Sequence, residues 1–202
     1  MAIEFKNSET CKNLCRAFAG ESQARNRYTF AAGLAKQQKL QVVQAVFQFT
    51  ADQEKEHAEL FYKHLAAMSG EEIFIDGSYP IDPMQDMVQL LHAAQRNEYA
   101  EHGSVYPAFG DVAQQEGFAD IAATFRGIAP IEQTHGNRFG HLAEALETGK
   151  LFVADAACGW MCLNCGHIFE GTQTPNTCPV CQHDQGFFIR VALAPYGGEW
   201  LR

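Results

Sequence analysis

Four cysteines near the C-terminus form two C-x-x-C pairs, Cys162/Cys165 and Cys178/Cys181, with twelve residues between the pairs. This spacing predicts that four thiolates surround one tetrahedral metal ion. Zinc and iron both accept four sulfur ligands, so the spacing alone does not decide between them. The tail is short and rich in glycine, proline and aromatic residues. A segment of this size has too small a core to fold stably without a bound metal ion or another cross-link.

A second pattern, Glu-x-x-His, occurs twice in the first three-quarters of the chain, at Glu54/His57 and at Glu132/His135. Each pair interrupts a stripe of apolar residues at 3-4 spacing, which marks the buried face of a helix. Residues at i and i+3 lie on one helix face, so each pair directs a carboxylate and an imidazole into the same core.

Three more glutamates, Glu21, Glu98 and Glu101, fall on core-facing positions of other helical segments. Burying five unpaired carboxylates would cost several kcal/mol for each one. An ion-paired network is the alternative, but the nearest basic residues in sequence are only Arg25 and Arg27. Helical bundles that bind two iron ions take one glutamate from each of two helices and a Glu-x-x-His pair from each of the other two. The residues above fit this arrangement.

The elements that must position these groups are four long amphipathic helices. Glu21 precedes Glu54 by 33 residues and Glu98 precedes Glu132 by 34, which indicates two copies of one helix pair. Short turns within each pair and a Gly- and Pro-rich crossover between the pairs predict a mainly α, ferritin-like four-helix bundle. The expected helices cover about Ser8–Lys36, Leu40–Met68, Pro83–Glu116 and Phe118–Thr148, with the crossover at 70–83.

Proline in the last helix is a departure from this regular pattern. Pro130 lies two residues before Glu132, and it is expected to kink or bulge the helix because proline removes a backbone hydrogen bond. The predicted domain division is a di-iron bundle over residues 1–149, a linker over 150–155 and a metal-knuckle domain over 156–202.

Composition narrows the functional classes. The 202 residues carry a net charge of −9, which disfavours nucleic acid and anionic membranes as partners. No segment approaches the roughly 18 apolar residues of a membrane span, and the N-terminus lacks a signal-peptide pattern, so a cytoplasmic location is expected. Cys11 and Cys15 are expected to pack between helices, and Cys158 to remain unligated.

The candidate ligands of the bundle lie in four sequence blocks, which are AFAGESQARNRY (17–28), TADQEKEHA (50–58), NEYAEHGSVYPAF (97–109) and IEQTHGNRF (131–139). Together with the cysteine pairs, these blocks resemble the rubrerythrin family. They stand in family order, and the tail resembles the family's rubredoxin domain, so the resemblance covers nearly the whole chain. Gln182 follows the second cysteine pair where free-standing rubredoxins usually have glycine, although rubrerythrin tails share this departure.

The resemblance implies a non-haem di-iron peroxidase that reduces hydrogen peroxide to water, with two irons in the bundle and one in the four-cysteine site. It implies that Glu54 and Glu132 bridge the two irons. Glu21 would bind the first iron, and Glu98 and His135 the second. Glu101 and His57 would be alternative ligands of the first iron, which would move from the glutamate to the histidine on reduction.

Partners follow from the same resemblance. An external reductase, dependent on NAD(P)H or linked to rubredoxin, would supply electrons to the tail. From His135 to Lys150 the helix extends roughly 22 Å at about 1.5 Å per residue, so a head-to-tail homodimer is expected to bring the tail to the partner's site. Tyr28 and Tyr106 are candidates to donate hydrogen bonds to metal-bound carboxylates.

Two other functions remain open from the residues alone. One is a ferroxidase or iron-storage protein with a structural zinc ribbon, which would use oxygen as oxidant. The other is a binding or regulatory module whose zinc ribbon makes protein contacts. His64, His92, His102 and His141 lie outside the paired motifs and are expected to be ordinary surface or core histidines.

Overall fold

The computed structural model describes residues 3–195 and consists of a helical bundle followed by a small β-rich domain. The predicted fold class is confirmed. Within the described range, no helix combines the length and the apolar character that crossing a membrane requires. The bundle helices are α1 (Glu9–Gln37), α2 (Gln41–His64), α3 (Met87–Ala100), a π-helix (Glu101–Val105), α4 (Tyr106–Glu116) and α5 (Ala119–Glu147).

The third helical segment differs from its prediction at two points. It begins at Met87 and not near Pro83, because the Asp86 side chain caps the helix by accepting from Gln89 N at 3.0 Å. Its middle is a five-residue π-helix, so the segment is α3, π-helix and α4 in continuous succession. The second segment ends as an α-helix at His64 and continues only as a 3-10 turn, Ala66–Met68.

Pro130 does not bulge the last helix. α5 continues through it from Ala119 to Glu147, with Glu132 and His135 in regular helix on its C-terminal side. A backbone irregularity that we did not expect lies in the helix packed beside it, in the π-helix Glu101–Val105.

Two apolar layers enclose the middle of the bundle. On one side Tyr28, Phe47 and Phe139 pack with ring centroids 4.9–5.9 Å apart. On the other side Phe61, Tyr106 and Phe125 pack at 5.0–5.9 Å. All six side chains are buried, so the polar residues between them are removed from solvent.

The small domain is a three-stranded antiparallel sheet with β1 in the centre. The order is β2-β1-β3, with Met161 opposite Ile168 and Cys162 opposite Phe188. Its core contains Trp160 and Phe188, with Phe169 and Phe187 partly buried against them. The strands are β1 (Val153–Cys162), β2 (Ile168–Gln173) and β3 (Phe188–Arg190), so β1 begins within the stretch predicted as linker.

This domain packs on the end of the bundle that holds the α1–α2 turn and the C-terminus of α5. Leu151 packs against the bundle core, and Arg190 donates to the carbonyls of Lys150 at 3.4 Å and Val153 at 3.0 Å. Gly186 lies directly against the carbonyl of Lys39 in the α1–α2 turn. The small domain therefore has two attachments to its own bundle.

Candidate metal centres

Four glutamates and two histidines meet in the middle of the bundle. The four helical segments each contribute a buried carboxylate, and α2 and α5 add an imidazole one turn further along. Glu54 and Glu132 belong to two groups whose ligand atoms lie within 4.8 Å of one another. The groups are Glu21, Glu54, His57 and Glu132, and Glu54, Glu98, Glu132 and His135.

The two shared glutamates present one oxygen to each histidine. Glu54 places Oε2 3.1 Å from His57 Nδ1 and Oε1 3.0 Å from His135 Nδ1. Glu132 places Oε1 3.0 Å from His57 Nδ1 and Oε2 2.8 Å from His135 Nδ1. The imidazole rings are nearly parallel, with their centroids 5.7 Å apart. This arrangement provides two adjacent positions, each with one imidazole, and two carboxylates that span both.

The short contacts in this cluster do not have hydrogen-bond geometry. Both Nδ1 atoms and all four oxygens of Glu54 and Glu132 are buried without a hydrogen-bond partner. Close approach without donor alignment is expected where lone pairs converge on a cation. Imidazole and carboxylate are suitable ligands for iron and other divalent transition metals, so the residues fit the metals that the pattern predicts.

Charge supports the same conclusion. Burial and the Glu54 carboxylate raise the pKa of both Glu21 and Glu98 well above its ordinary value. Burial lowers the pKa of the histidines, but Glu132 and Glu54 outweigh this effect and raise the pKa of His57 to about 9 and of His135 to about 12. Even if both imidazoles were protonated, their two positive charges would balance only half of the negative charge of the four buried carboxylates. No Lys or Arg among residues 3–195 pairs with them.

Two tyrosines hold the outer glutamates. Tyr28 donates its hydroxyl hydrogen bond to Glu98 Oε1, and Tyr106 donates to Glu21 Oε1. Each tyrosine comes from one helix pair and its glutamate from the other. A ligand carboxylate whose second oxygen is fixed in this way has one oxygen left to face a metal ion.

Glu101 lies outside both ligand groups. It is the first residue of the π-helix and is only partly buried, whereas the other four glutamates are fully buried. Burial and the carboxylates of Glu132 and Glu54 raise the pKa of Glu101 well above its ordinary value, so its carboxyl group also lies close to the cluster. The first position contains His57 in this structure, and Glu101 contributes no ligand atom to it.

Sequence reasoning missed the residues that pin the crossover to the bundle. Arg27 forms an ion pair with Asp82 at 2.5 Å, and Asp82 also accepts from Asn97 at 3.2 Å. Both charged side chains of the pair are largely buried. Asp82 lies in an irregular segment without periodicity, so no pattern marked it, although two prolines and two glycines did predict that this segment is a connection. On the other side of the bundle, Arg138 donates to Thr50 at 2.9 Å and joins α5 to α2.

The four-cysteine cluster is already arranged as a tetrahedral site. Cys162 Sγ lies 3.7 Å from Cys181 Sγ, and Cys165 Sγ lies 3.7 Å from Cys178 Sγ. A tetrahedron with metal–sulfur bonds of about 2.3 Å has sulfur–sulfur edges of about 3.8 Å, so the spacing fits a bound metal. The three other cysteines, Cys11, Cys15 and Cys158, are free and lie outside the cluster.

The two cysteine turns have the same backbone hydrogen bonds. Gly166 N donates to Cys162 O at 2.8 Å, and Gln182 N donates to Cys178 O at 3.0 Å. Both residues have left-handed backbone, with φ of 77° at Gly166 and 60° at Gln182. The departure seen at Gln182 therefore leaves the turn intact but places a side chain in a conformation that disfavours one.

Comparison with known proteins decides the family. The family model described as Rubrerythrin matches residues 12–143, and the model described as "Rubrerythrin, rubredoxin-like domain" matches residues 160–189. A rubrerythrin of Clostridium perfringens is 43% identical over 91% of this chain and 94% of its own length. The chain belongs to the rubrerythrin family. A rubrerythrin of Porphyromonas gingivalis is 42% identical over 93% of this chain and 92% of its own length.

Solved structures extend the comparison. Nigerythrin in its fully reduced, all-ferrous state superposes with a TM-score of 0.61 at 27% identity, covering 90% of this chain and 86% of that one. Membership of the rubrerythrin family supports a di-iron protein with a rubredoxin-like domain and a role in oxidative stress. Members of the family are oxidoreductases, and the Glu/His and four-cysteine clusters described above indicate iron binding.

Proposed function

We propose that this rubrerythrin is a peroxidase that reduces hydrogen peroxide to water, with electrons relayed through an iron in its four-cysteine site. The observation that supports this proposal most is the pair of histidine-capped positions that share Glu54 and Glu132. The same chain carries a tetrathiolate cluster suited to one-electron transfer. Reduction of one peroxide molecule consumes two electrons and two protons and yields two water molecules.

The proposed ligand assignments follow the geometry. Glu54 and Glu132 would bridge two iron ions, and one further glutamate and one histidine would complete each position. When bound, two iron ions would supply the two electrons that peroxide reduction requires. Glu101 would be an alternative to the histidine at the first position. The completing pairs are Glu21 with His57 at the first position and Glu98 with His135 at the second.

The chain's own residues prepare this site for a small oxidant. Two aromatic layers exclude bulk water on both sides of the ligands, and this strengthens electrostatic interactions within the site. Tyr28 and Tyr106 fix the orientation of Glu98 and Glu21 through their hydroxyl groups. The ligands are therefore held in position before an oxidant enters.

Electron delivery would require a second copy of the chain. The small domain packs on the end of its own bundle, and His135 lies roughly 22 Å of helix away from Lys150. We propose a head-to-tail homodimer in which the four-cysteine site of one subunit serves the bundle of the other. An NAD(P)H-dependent or rubredoxin-linked reductase would reduce the four-cysteine site.

The choice of oxidant tests the proposed reaction. Reduced, iron-loaded protein should be oxidised by one equivalent of hydrogen peroxide much faster than by oxygen at the same concentration. Anaerobic stopped-flow absorbance measures both rates, and the consumption of peroxide gives the stoichiometry. Preferential reaction with oxygen, followed by accumulation of ferric iron in excess of the protein's sites, would instead favour a ferroxidase or storage function.

His57→Ala should slow oxidation of the reduced protein by peroxide by at least about tenfold, since loss of a group that tunes a metal site typically costs about 10–100-fold in activity. Metal content should change little, because Glu21, Glu54 and Glu132 remain. Glu101→Ala should affect the peroxide step less, since Glu101 lies outside the ligand groups here. The measurements are stopped-flow rates and metal analysis of each variant.

His64→Ala is the matched control, because His64 lies on the same helix and contacts Thr124 at 2.8 Å outside the site. Peroxide rates in His57→Ala that equal those of the control would contradict the assignment of His57.

A further inference from the structure

The contact between the small domain and the α1–α2 turn is made through backbone atoms. Gly186 is buried, and a Cβ atom at this position would lie 1.9 Å from the carbonyl oxygen of Lys39 and 2.2 Å from the side-chain amide of Gln41. Carbon and oxygen atoms that are not bonded do not approach so closely. The Lys39 oxygen belongs to the backbone and cannot rotate away, so the contact as it stands requires glycine.

The turn that presents Lys39 is held rigidly by the end of α1. Lys39 N donates to Lys36 O at 3.1 Å and Leu40 N donates to Ala35 O at 2.9 Å, the two hydrogen bonds of a Schellman motif. Lys39 occupies the left-handed position of this motif, with φ of 58°, where glycine is the usual residue. This conformation fixes the position of its carbonyl oxygen against Gly186.

A side-chain bridge lies beside the backbone contact. When the Gln41 amide nitrogen faces its two acceptors, it donates to Lys39 O at 2.9 Å and to Asp184 Oδ1 at 3.3 Å. Asp184 also accepts from Gly186 N at 3.1 Å, which caps the 3-10 turn Gln185–Phe187. One amide thus links the end of α1, the start of α2 and the small domain.

Both cysteine turns are attached directly to this contact. Asp184 pairs with Thr177, the residue before Cys178, and Phe187 O accepts from Leu163 N at 2.8 Å within the first cysteine turn. The segment 184–187 therefore connects the Lys39 carbonyl to both halves of the metal cluster. A shift of this segment on the bundle would carry the four-cysteine site with it.

We propose that the contact of Gly186 with Lys39 and Gln41 is a positioning element that fixes the four-cysteine site relative to the bundle and thereby sets the rate of electron delivery. The electron-delivery part rests on the proposed function. In a head-to-tail dimer, the position of each small domain on its own bundle determines how far its metal lies from the partner's di-iron site. Electron tunnelling slows steeply with distance, so a small displacement has a large kinetic effect.

Gly186→Ala tests this proposal in the iron-loaded, full-length protein. The transfer of electrons from the reduced four-cysteine site to the oxidised bundle should slow severalfold, because tunnelling weakens with each added ångström between the two centres. The visible spectrum of the four-cysteine site and the single-turnover oxidation of the reduced bundle by peroxide should stay unchanged. A purely structural defect in either centre would alter one of these two measurements.

A second measurement does not depend on electron transfer. Lys150 lies at the joint between α5 and β1, and its carbonyl accepts from Arg190. Trypsin cleavage after Lys150 should become faster in Gly186→Ala, because the weakened attachment opens the joint more often. Gly33→Ala is the control, since Gly33 lies in α1 near the same end of the bundle and a Cβ there has no neighbour within 4 Å.

Gln41→Ala provides an independent variant that adds no atoms to the interface. It should slow electron transfer and accelerate cleavage in the same direction as Gly186→Ala, by smaller factors. Wild-type rates of both processes in Gly186→Ala would overturn the proposal. If Gly186→Ala fails to fold, wild-type behaviour of Gln41→Ala would overturn it. Absence of electron transfer in the wild-type protein would instead contradict the proposed relay. The cleavage rates would still test whether Gly186 and Gln41 hold the small domain on the bundle.

Discussion

Cys178→Ser is expected to reduce peroxide turnover driven by an external electron donor to background. Cys178 is fully buried in the four-cysteine cluster, and its sulfur lies 3.7 Å from that of Cys165. Serine leaves three thiolates and a hydroxyl group, which is a poor ligand for a site built for soft metals. The bundle and its ligands lie in the other domain, so oxidation of chemically pre-reduced protein by peroxide should continue at the wild-type rate.

Cys158→Ser is the control for this experiment. Cys158 lies in the same domain, on β1, but is free and outside the cluster. It should retain donor-driven turnover and the absorbance of the four-cysteine site. The proposed division of labour between the domains would be wrong if Cys178→Ser also lost the single-turnover reaction with peroxide while its bundle metals remained bound.

Removal of the bundle metals should destabilise the protein by several kcal/mol at neutral pH. Four buried carboxylates lose their counter-charges, and an uncompensated buried charge typically costs about 3–5 kcal/mol. Thermal unfolding followed by circular dichroism, before and after chelation, measures the loss. Re-addition of ferrous iron without oxygen should restore the original transition.

The metal-free protein should also become less stable as pH rises. The folded-state pKa values of Glu21 and Glu98 are raised above those of the unfolded chain. Their contribution to stability is therefore fully present below the ordinary glutamate pKa of about 4.3 and is lost as pH rises through the folded values. His57 and His135 add a further loss as pH rises from the ordinary histidine pKa of about 6.5 through their folded pKa values of about 9 and about 12.

Glu21→Gln should flatten this pH dependence in the metal-free protein, because the amide has no charge to bury. Glu56→Gln, an exposed position on α2, serves as the matched control and should leave the slope unchanged. An equal slope in the metal-free wild type and in Glu21→Gln would mean that the buried carboxylates do not determine the stability of the metal-free bundle.

The bundle and the cluster of ligands could be predicted because both depend on local periodicity. A glutamate within an apolar stripe must face the core once the helix forms. The burial of Glu54, Glu98 and Glu132 could therefore be predicted without knowing the tertiary structure. The cysteine pairs have the same property, because C-x-x-C spacing determines the turn. The end of the last helix was expected near Thr148, and Gly149 takes the left-handed position just after it.

Other features depend on contacts between distant segments and leave no periodic signal. The pairing of Arg27 with Asp82 joins a helix to an irregular crossover. The glycine required at position 186 follows only from its approach to Lys39. Pro130 was expected to kink or bulge α5; no bulge is formed, because the packing of α5 against its neighbours maintains the helix through that residue.

The π-helix makes the two halves of the bundle unequal by a single residue. Glu21 corresponds to Glu98 at an offset of 77, whereas Tyr28 corresponds to Tyr106 at an offset of 78, so the extra residue lies between positions 98 and 106. The π-helix Glu101–Val105 occupies this interval and absorbs the insertion. At the offset of 77, Glu101 corresponds to Ala24, a buried residue without a ligand atom.

The duplicated bundle therefore departs from two-fold symmetry at one register step. One half carries a spare carboxylate, Glu101, on a backbone segment wound more loosely than the rest, and the other half has Ala24 at the matching position of a regular helix. The asymmetry between the two halves is thus encoded by two local changes, one inserted residue and one carboxylate in place of a methyl group, while the shared set of ligands is kept.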